Sequence, residues 1–538
     1  MLRALSRLFS YADVAQLVEQ ALRKRQVAGS SPAIGSILGK GGCVGGLLVR
    51  LRSGNAGPPA GLLLVALVVC SGLSACASSG SAHGKTLRIP LYGDAVIPDP
   101  ARASSPSALL LTSLLFSGLV KFGPDLHIIP DLAISLPTIS EDGLDYTFTL
   151  RQDARFADGR RCTSADVAYS LYRALLPATH SLWAQSYLGN IQGARAVEAG
   201  RADRLSGVHI LDQLTLRIHL GHPDADFLQK LAFPTAFIVD RRAIGSYRSN
   251  GWIDHPAGTG PWTVTARERN GSLELAPRRH SYGGPLDLGS LLLVPVANQA
   301  RALDLYRKGA LDVAAVPEPQ YASMSGRSDF QESSSLDAYY ALPAHGPAPA
   351  LAAILDRDKL AQQTTPELSP LSSIVPPAVP DYVAAPPTVD PVLSADGAPV
   401  IPKADLQVSQ HGDWMLSRLR QALSRQWPAA HGHGIGIRLV HIHLMLPDPS
   451  IWLRLVLPQT KSHWYRAILA RSATLTLDPV SRMNAYIQDE NWALQQAFII
   501  PLASGNIAYL IKSAVQNLQV TPLGLLPENN NWALVDIR

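Results

Sequence analysis

Glu141–Val167 reads EDGLDYTFTLRQDARFADGRRCTSADV, and three kinds of local structure follow one another within it. Leu144, Tyr146, Phe148 and Leu150 alternate with Asp145, Thr147 and Thr149, the period-two pattern of a strand with one buried face. Phe156-Ala157-Asp158-Gly159 is a turn between the strand and the next helix, in which an aspartate satisfies backbone donors. Thr163 and Asp166 form a capping-box start for a helix that carries Val167, Leu171 and Leu175 on one side. Strand, turn and helix in so short a span point to an α/β chain.

The same mixture extends outward. Lys85–Tyr92 (KTLRIPLY) opens a strand, and Ser105-Pro106 offers an N-cap followed by a proline at the first helical position, ahead of Leu110, Leu111, Leu114, Leu115 and Leu119. Leu214, Leu216, Ile218 and Leu220 alternate as a second strand, and Ala300–Lys308 reads as a helix stopped by Gly309. Beyond residue 340 the periodicity fades. Ala341–Ala352 and Ser369–Pro402, rich in proline and alanine, are expected to be loops or linkers. Met415, Leu419, Leu423 and Trp427 then form one helical stripe, Ile435–Met445 alternates as a strand, and Asp478-Pro479 caps a helix running to about Phe498. No internal repeat is present, and the order of elements lacks the regular alternation of a barrel.

Composition bounds the function. The chain has 538 residues, 47% hydrophobic and 17% charged, enough for more than one domain. Four cysteines are too few for a disulfide framework. The formal charge of +5 comes from residues 1–75, where eight Lys and Arg face only Asp13 and Glu19, so the body is near neutral and offers no footprint for nucleic acid. Gly61–Leu73 (GLLLVALVVCSGL), preceded by Arg50 and Arg52, is too short to span a bilayer and fits the apolar region of a signal peptide. Leu73-Ser74-Ala75-Cys76 resembles a bacterial lipoprotein signal, with Cys76 as the lipid attachment site and residues 77–84 as a tether. Residues 11–36 resemble the conceptual translation of a transfer-RNA gene, so residues 1–48 are read as a mis-annotated leader and 49–76 as the signal peptide.

Several separated segments together resemble the peptide/nickel group of extracellular solute-binding proteins, family 5. Pro130-Asp131-Leu132-Ala133 with Glu141–Arg151 resembles the family's "PDLA…DDGxxYTFxLR"; Phe156–Gly159 with Thr163–Val167 resembles "FxDGxxxTAxDV"; Pro256–Trp262 (PAGTGPW) resembles "PVGTGPY"; Lys308–Asp312 resembles "xGxxD". Asp448-Pro449, Arg482, Tyr486 and Ile500-Pro501-Leu502 fit the C-terminal pattern. The resemblance implies a two-lobed, periplasmic-binding-protein-like (type II) α/β fold with an extra domain inserted in lobe 1. Lobe 1 is expected to combine residues 85–124, 205–315 and 505–538, the inserted domain residues 125–204, and a shortened lobe 2 residues 316–504. It further implies a monomer that closes about a peptide or other small solute, holds a peptide as an added strand, and delivers it to ABC permease subunits from the outer side of the cytoplasmic membrane. No cofactor is expected.

The chain also departs from that pattern. Ile354–Leu360 is all that remains of the run before the second lobe's first helix, and the acid that meets a peptide's amine, three residues before the "DP" pair, is replaced by Met445. In its place stands His441-Ile442-His443-Leu444-Met445, whose residues 441, 443 and 445 share one strand face. His441, His443 and Met445 are therefore candidate ligand-facing residues, joined by Trp452 just past the "DP" pair and by Tyr339 and Tyr340 at the entry to the second lobe. Imidazoles and a thioether, with His431-Gly432-His433 upstream, are also the donor types of a copper, nickel or haem carrier; polar pocket residues and a solvated loop are the plainer reading. Gly258-Thr259-Gly260-Pro261 lacks the GK[ST] of a phosphate loop and is read as a turn with unusual dihedrals. Cys162 reads as a small buried residue, and no GxSxG or HExxH supports an enzyme. A transport-inactive sensory or envelope-regulatory binding module is the alternative function.

Overall fold

The computed structural model describes residues 85–93, 99–246, 258–278, 281–284, 286–344, 346–382, 403–409, 413–429, 434–444, 446–456, 479–525 and 535–537. The leader, the signal segment with Cys76, His431-Gly432-His433 and Met445 lie outside them. No helix among the described residues is long and apolar enough to cross a membrane.

Strand β1 (Thr86–Tyr92) is followed by helix α1 (Pro106–Leu115), whose cap is the expected one: Ser105 Oγ accepts the Ala108 N–H at 3.2 Å. A short hairpin, β2 (Val120–Phe122) and β3 (Ile128–Pro130), leads into a four-stranded antiparallel sheet. Its members are β4 (Thr138–Ile139), β5 (Asp145–Thr149), β6 (Val208–Ile210) and β7 (Thr215–His219), in the order β4-β5-β7-β6. Tyr146 pairs with Ile218 and Phe148 with Leu216, and these four side chains meet Val167 and Leu171 of α2 (Ser164–Leu175) in one core. Both halves of the Thr163/Asp166 capping box are formed. β6 and β7 lie beyond residue 204, so that boundary is corrected: the inserted sheet is not complete until His219, because β5 needs a partner from the second segment.

The chain then returns to β1. β8 (Trp262–Arg267), β9 (Leu273–Pro277) and β10 (Ser290–Val296) give the order β1-β10-β9-β8, with β1 parallel to β10 and the other pairs antiparallel. The glycines ahead of β8 correct a second expectation. Neither Gly258 nor Gly260 has a positive φ. A Cβ on either would collide with the backbone at Leu115, where Gly260 N–H donates to the Leu115 carbonyl at 3.0 Å. Close approach to the end of α1, not dihedral freedom, is what requires glycine here. Arg278 staples the loop to the Phe156–Gly159 turn, donating to the carbonyls of Gly260 at 2.8 Å and Phe156 at 3.0 Å. In that turn Gly159 does need its freedom, at φ +87.

After α3 (Gln299–Arg307), β11 (Val313–Ala315) and the long β12 (Phe330–Pro343) carry the chain into a second sheet. β13 (Leu368–Pro370), β14 (Ala404–Val408), β15 (Ile435–His443) and β16 (Ile500–Ile511) complete it, in the order β11-β16-β12-β15-β14, with β13 on β16. Alternation along β12 separates two cores. Tyr339 and Ala341 pack with α4 (Arg357–Thr364) and α5 (Trp414–Leu423) through Leu360, Leu416, Leu419 and Leu423. Leu336, Ala338, Tyr340 and Leu342 face α6 (Pro449–Val456) and α7 (Pro479–Gln495) through Trp452, Leu453, Tyr486 and Leu494. Two segments expected to be loops or linkers are packed in their described parts, and residues 383–402 of the second lie outside them. Ala341–Pro343 ends β12, and a short helix Pro349–Ala353 buries Leu351 and Ala352. Leu371, Ile374, Val375, Val379 and Tyr382 fill the second core without regular structure, held by Glu490, whose carboxylate accepts the Ile374 and Val375 N–H groups and the Tyr382 hydroxyl.

A candidate capture edge

β15 has β12 along one side for its whole second half, from Pro343↔Ile437 to Asp337↔His443. On its other side β14 runs parallel only from Ala404↔Ile435 to Val408↔Leu439. Leu444 donates its N–H to the Leu336 carbonyl on β12, at 3.1 Å, while the Leu439 carbonyl accepts from Ser409 on the β14 side, at 3.0 Å. Backbone groups alternate along a strand, so residues 439, 441 and 443 point away from β12. Past Leu439 no strand among the described residues pairs with them. Among the described residues, the main-chain N–H and C=O groups of His441 and His443 are therefore left without a strand partner on that side.

The side chains of the same two residues are held from the β12 side by a bulge. Ser334 pairs with Asn506 and Ala338 with Ser504, so three residues of β12 oppose Gly505 alone. A Cβ on Gly505 would stand 2.9 Å from Ser335 Oγ and 3.0 Å from the Asp337 Cβ, so the bulge depends on its absence. Asp337 is turned so that its Oδ1 accepts from His441 Nε2 at 2.9 Å and His443 Nδ1 at 2.8 Å, with Ser335 Oγ donating to Oδ2 at 2.8 Å. His441 Nδ1 lies 3.3 Å from Asp413 Oδ2, and Asp413 Oδ1 accepts the Leu416 N–H at 2.9 Å, capping α5. Tyr339, directly across from His441, stacks on the imidazole with 4.5 Å between ring centres.

Charge follows from this geometry. Burial opposes ionisation of Asp337, but the hydrogen bonds from His441 and His443 outweigh it and hold the carboxyl below the usual carboxylate range. Burial likewise opposes the His441 cation, and the two carboxylates overcome it, pushing the imidazole up to about 9. Asp413 is lowered, against burial, by its bonds to His441 and to the helix N-terminus.

Of the candidates from sequence, the structure gathers Tyr339, His441 and His443. It separates Tyr340 and Trp452, which are corrected to packing residues: both are fully buried in the core shared with α6 and α7, because strand alternation sends Tyr340 to the opposite face from Tyr339. Tyr340 donates its hydroxyl to the Ile374 carbonyl. The "DP" pair also has a structural role. Asp448 Oδ1 accepts the Ser450 N–H at 2.7 Å, and Ser450 Oγ bonds the buried Asp226, ahead of the short helix Phe227–Leu231, at 2.9 Å. Sequence reasoning missed Asp337 and Asp413; the first shares a strand face with Tyr339 by period two, and the second precedes a helical stripe as an N-cap should. No group of three or more His, Cys, Asp or Glu among the described residues is arranged to hold a metal ion.

The model of the bacterial extracellular solute-binding proteins, family 5 (middle), matches residues 127–395. The chain belongs to that family. Among family 5 relatives, the periplasmic murein peptide-binding protein MppA of Escherichia coli is 29% identical over 231 residues, 42% of this chain and 42% of that protein. The chain thus aligns in sequence with less than half the length of this curated relative. In structure the coverage is wider. The unliganded open form of MppA superposes with a TM-score of 0.72 over 85% of this chain and 98% of that one, at 20% identity. Listeria monocytogenes OppA bound to peptide gives 0.57 over 84% and 99%, at 17% identity. The family 5 fold is accordingly the two-lobed α/β, periplasmic-binding-protein-like (type II) arrangement with an extra domain inserted in lobe 1.

Proposed function

We propose that this protein captures an extended peptide, or a small solute with a comparable run of hydrogen-bonding groups, along the open edge of β15, and passes it to the permease subunits of an ABC importer. The observation that carries the reading is the half-covered β15, whose exposed main-chain row at His441 and His443 is the kind of surface to which a peptide adds as a strand. Main-chain pairing gives affinity without demanding one side-chain sequence. The protein acts as a monomer outside the cytoplasmic membrane, held there by acyl chains on Cys76; each buried methylene contributes about 0.8 kcal/mol, so more than one chain anchors stably.

The end of the ligand at this edge is not a free amine. Position 445 is methionine, and Asp337 and Asp413, which flank the His441 ring, are engaged by imidazoles. Native mass spectrometry of the full chain, purified without denaturant, tests the reading: a retained small molecule released by unfolding supports it. An empty protein that also fails to bind a mixture of tri- and tetrapeptides by calorimetry would end it.

A further inference from the structure

We infer that His441 is a positioning residue for the capture edge: by bridging Asp337 on the β12 bulge and Asp413 at the start of α5, it fixes the direction in which the main-chain groups of His441 and His443 meet the solute. This rests on reading that edge as the capture surface.

Three elements that the sheet alone does not tie together converge on this one ring. β12 contributes Asp337 and the stacked Tyr339, α5 contributes Asp413 through its cap, and β15 contributes the ring itself. Beyond Leu439 the strand has lost β14, so nothing from the sheet fixes that side of its last residues. A strand held on one side only twists and frays. The bridge replaces the missing neighbour with side-chain bonds. It leaves the main-chain row free of strand pairing among the described residues, which a longer β14 would not do. His443 contributes less, because it has Asp337 as its one carboxylate partner and is nearly half exposed.

The charged surroundings are favourable only while the ring is a cation. Asp337 and Asp413 face it from two sides, and Glu367, ahead of β13, acts on the same Tyr339. Arg438, the other charged residue of β15, is on the opposite face by alternation. A neutral ring donates to one carboxylate at most, so the other keeps only its remaining partners, His443 and Ser335 for Asp337 or the Leu416 N–H for Asp413, and the tie between the bulge and the α5 cap is lost. The ring stays charged across the neutral range because it is raised to about 9, and both carboxylates stay ionised well into acid. Capture is therefore flat with pH between about 6 and 8 and weakens as pH passes about 9.

The test uses the full chain labelled with ¹⁵N at histidine, the variants His441→Gln and His443→Gln, and tri-alanine as probe. The His441 ring is expected to titrate near 9 with both nitrogens protonated at pH 7. His441→Gln is expected to speed deuterium exchange at the amides of residues 441 and 443, to lower tri-alanine affinity about tenfold, roughly one lost charge-assisted bond, and to abolish the weakening above pH 9, which His443→Gln retains. A ring that titrates near 6.5, or unchanged amide exchange in His441→Gln, overturns the inference whether or not tri-alanine binds. Absence of tri-alanine binding by the wild type, with the titration and exchange as expected, counts against peptide capture and leaves the bridge standing.

Discussion

Arg88 on β1 and Asp312, just before β11, are joined face to face: Nε donates to Oδ2 at 2.9 Å, a terminal guanidinium nitrogen donates to Oδ1 at 2.7 Å, and the Arg88 main-chain N–H adds a third bond to Oδ2 at 2.9 Å. Lys512, at the end of β16, reaches the same carboxylate at 3.0 Å. One aspartate thus ties β1 of the first sheet to both strands, β11 and β16, that leave for the second. Burial works against its ionisation, but the bonds from Arg88 and Lys512 prevail and lower its pKa. Asp312→Ala should cost about 2 kcal/mol at neutral pH, less than for a fully buried pair because Arg88 is partly solvated. A lowered carboxylate contributes stability that is present above its unfolded pKa, near 4, and lost as pH falls through the folded value. Chemical denaturation should therefore show the gap between wild type and variant closing below about pH 4.

Glu367 shows the opposite sign. Burial first, and then the nearby Glu318, raise its carboxyl to about 7, with Arg418 opposing. Above its unfolded value, near 4.5, the unfolded chain sheds the proton first, so stability falls as pH rises from about 4.5 to 7. Glu367→Gln should melt higher than wild type at pH 8 and level with it at pH 4. Equal melting at both would exclude a buried, reluctant carboxyl at this position.

The two glycine mechanisms are separable by substitution. Gly258→Ala drives a methyl into the backbone at the end of α1 and should leave the protein largely unfolded, since nothing there can yield. Gly159→Ala has open space around the new atom and meets only the strain of a positive φ, about 1 kcal/mol. Circular dichroism melts of the pair decide it, and similar losses in both would contradict the steric account.

Anchoring and ligand polarity are checked in the same cells. Cys76→Ala should abolish incorporation of labelled palmitate and release the protein from membranes on fractionation. N-acetylation of a bound tripeptide should leave its affinity within about threefold, because Asp337 and Asp413, the carboxylates beside His441, already have partners. A collapse of binding on acetylation would mean that an acid reaches the amine after all.

Much of this was readable in the residues, and the failures have a physical pattern. Where the signal is local, as in the Ser105 and Thr163 caps, the Phe156–Gly159 turn and the alternation around Tyr146, the expected structure formed. Errors arose where tertiary contacts decide. Gly258 looks like a dihedral requirement until α1 is seen against it. The boundary at 204 cut a sheet because strand pairing joins segments about seventy residues apart. Ala341–Ala352 has the composition of a linker, yet a central strand and a buried leucine lie within it. At the edge itself, His441 and His443 were found by period two and Tyr339 by its place at the entry to the second lobe, whereas Asp337, two residues before Tyr339 on the same face, was passed over because its partners come from another strand.

The half-covered β15 also carries a hazard. Bare backbone on a flat strand invites other strands, including those of a second copy of the same chain or of a partly unfolded neighbour. A solute held there, as proposed above, would occupy that row and protect the protein from its own kind, so preparations stripped of cargo by denaturation and refolding are expected to aggregate at concentrations where the loaded protein remains dispersed.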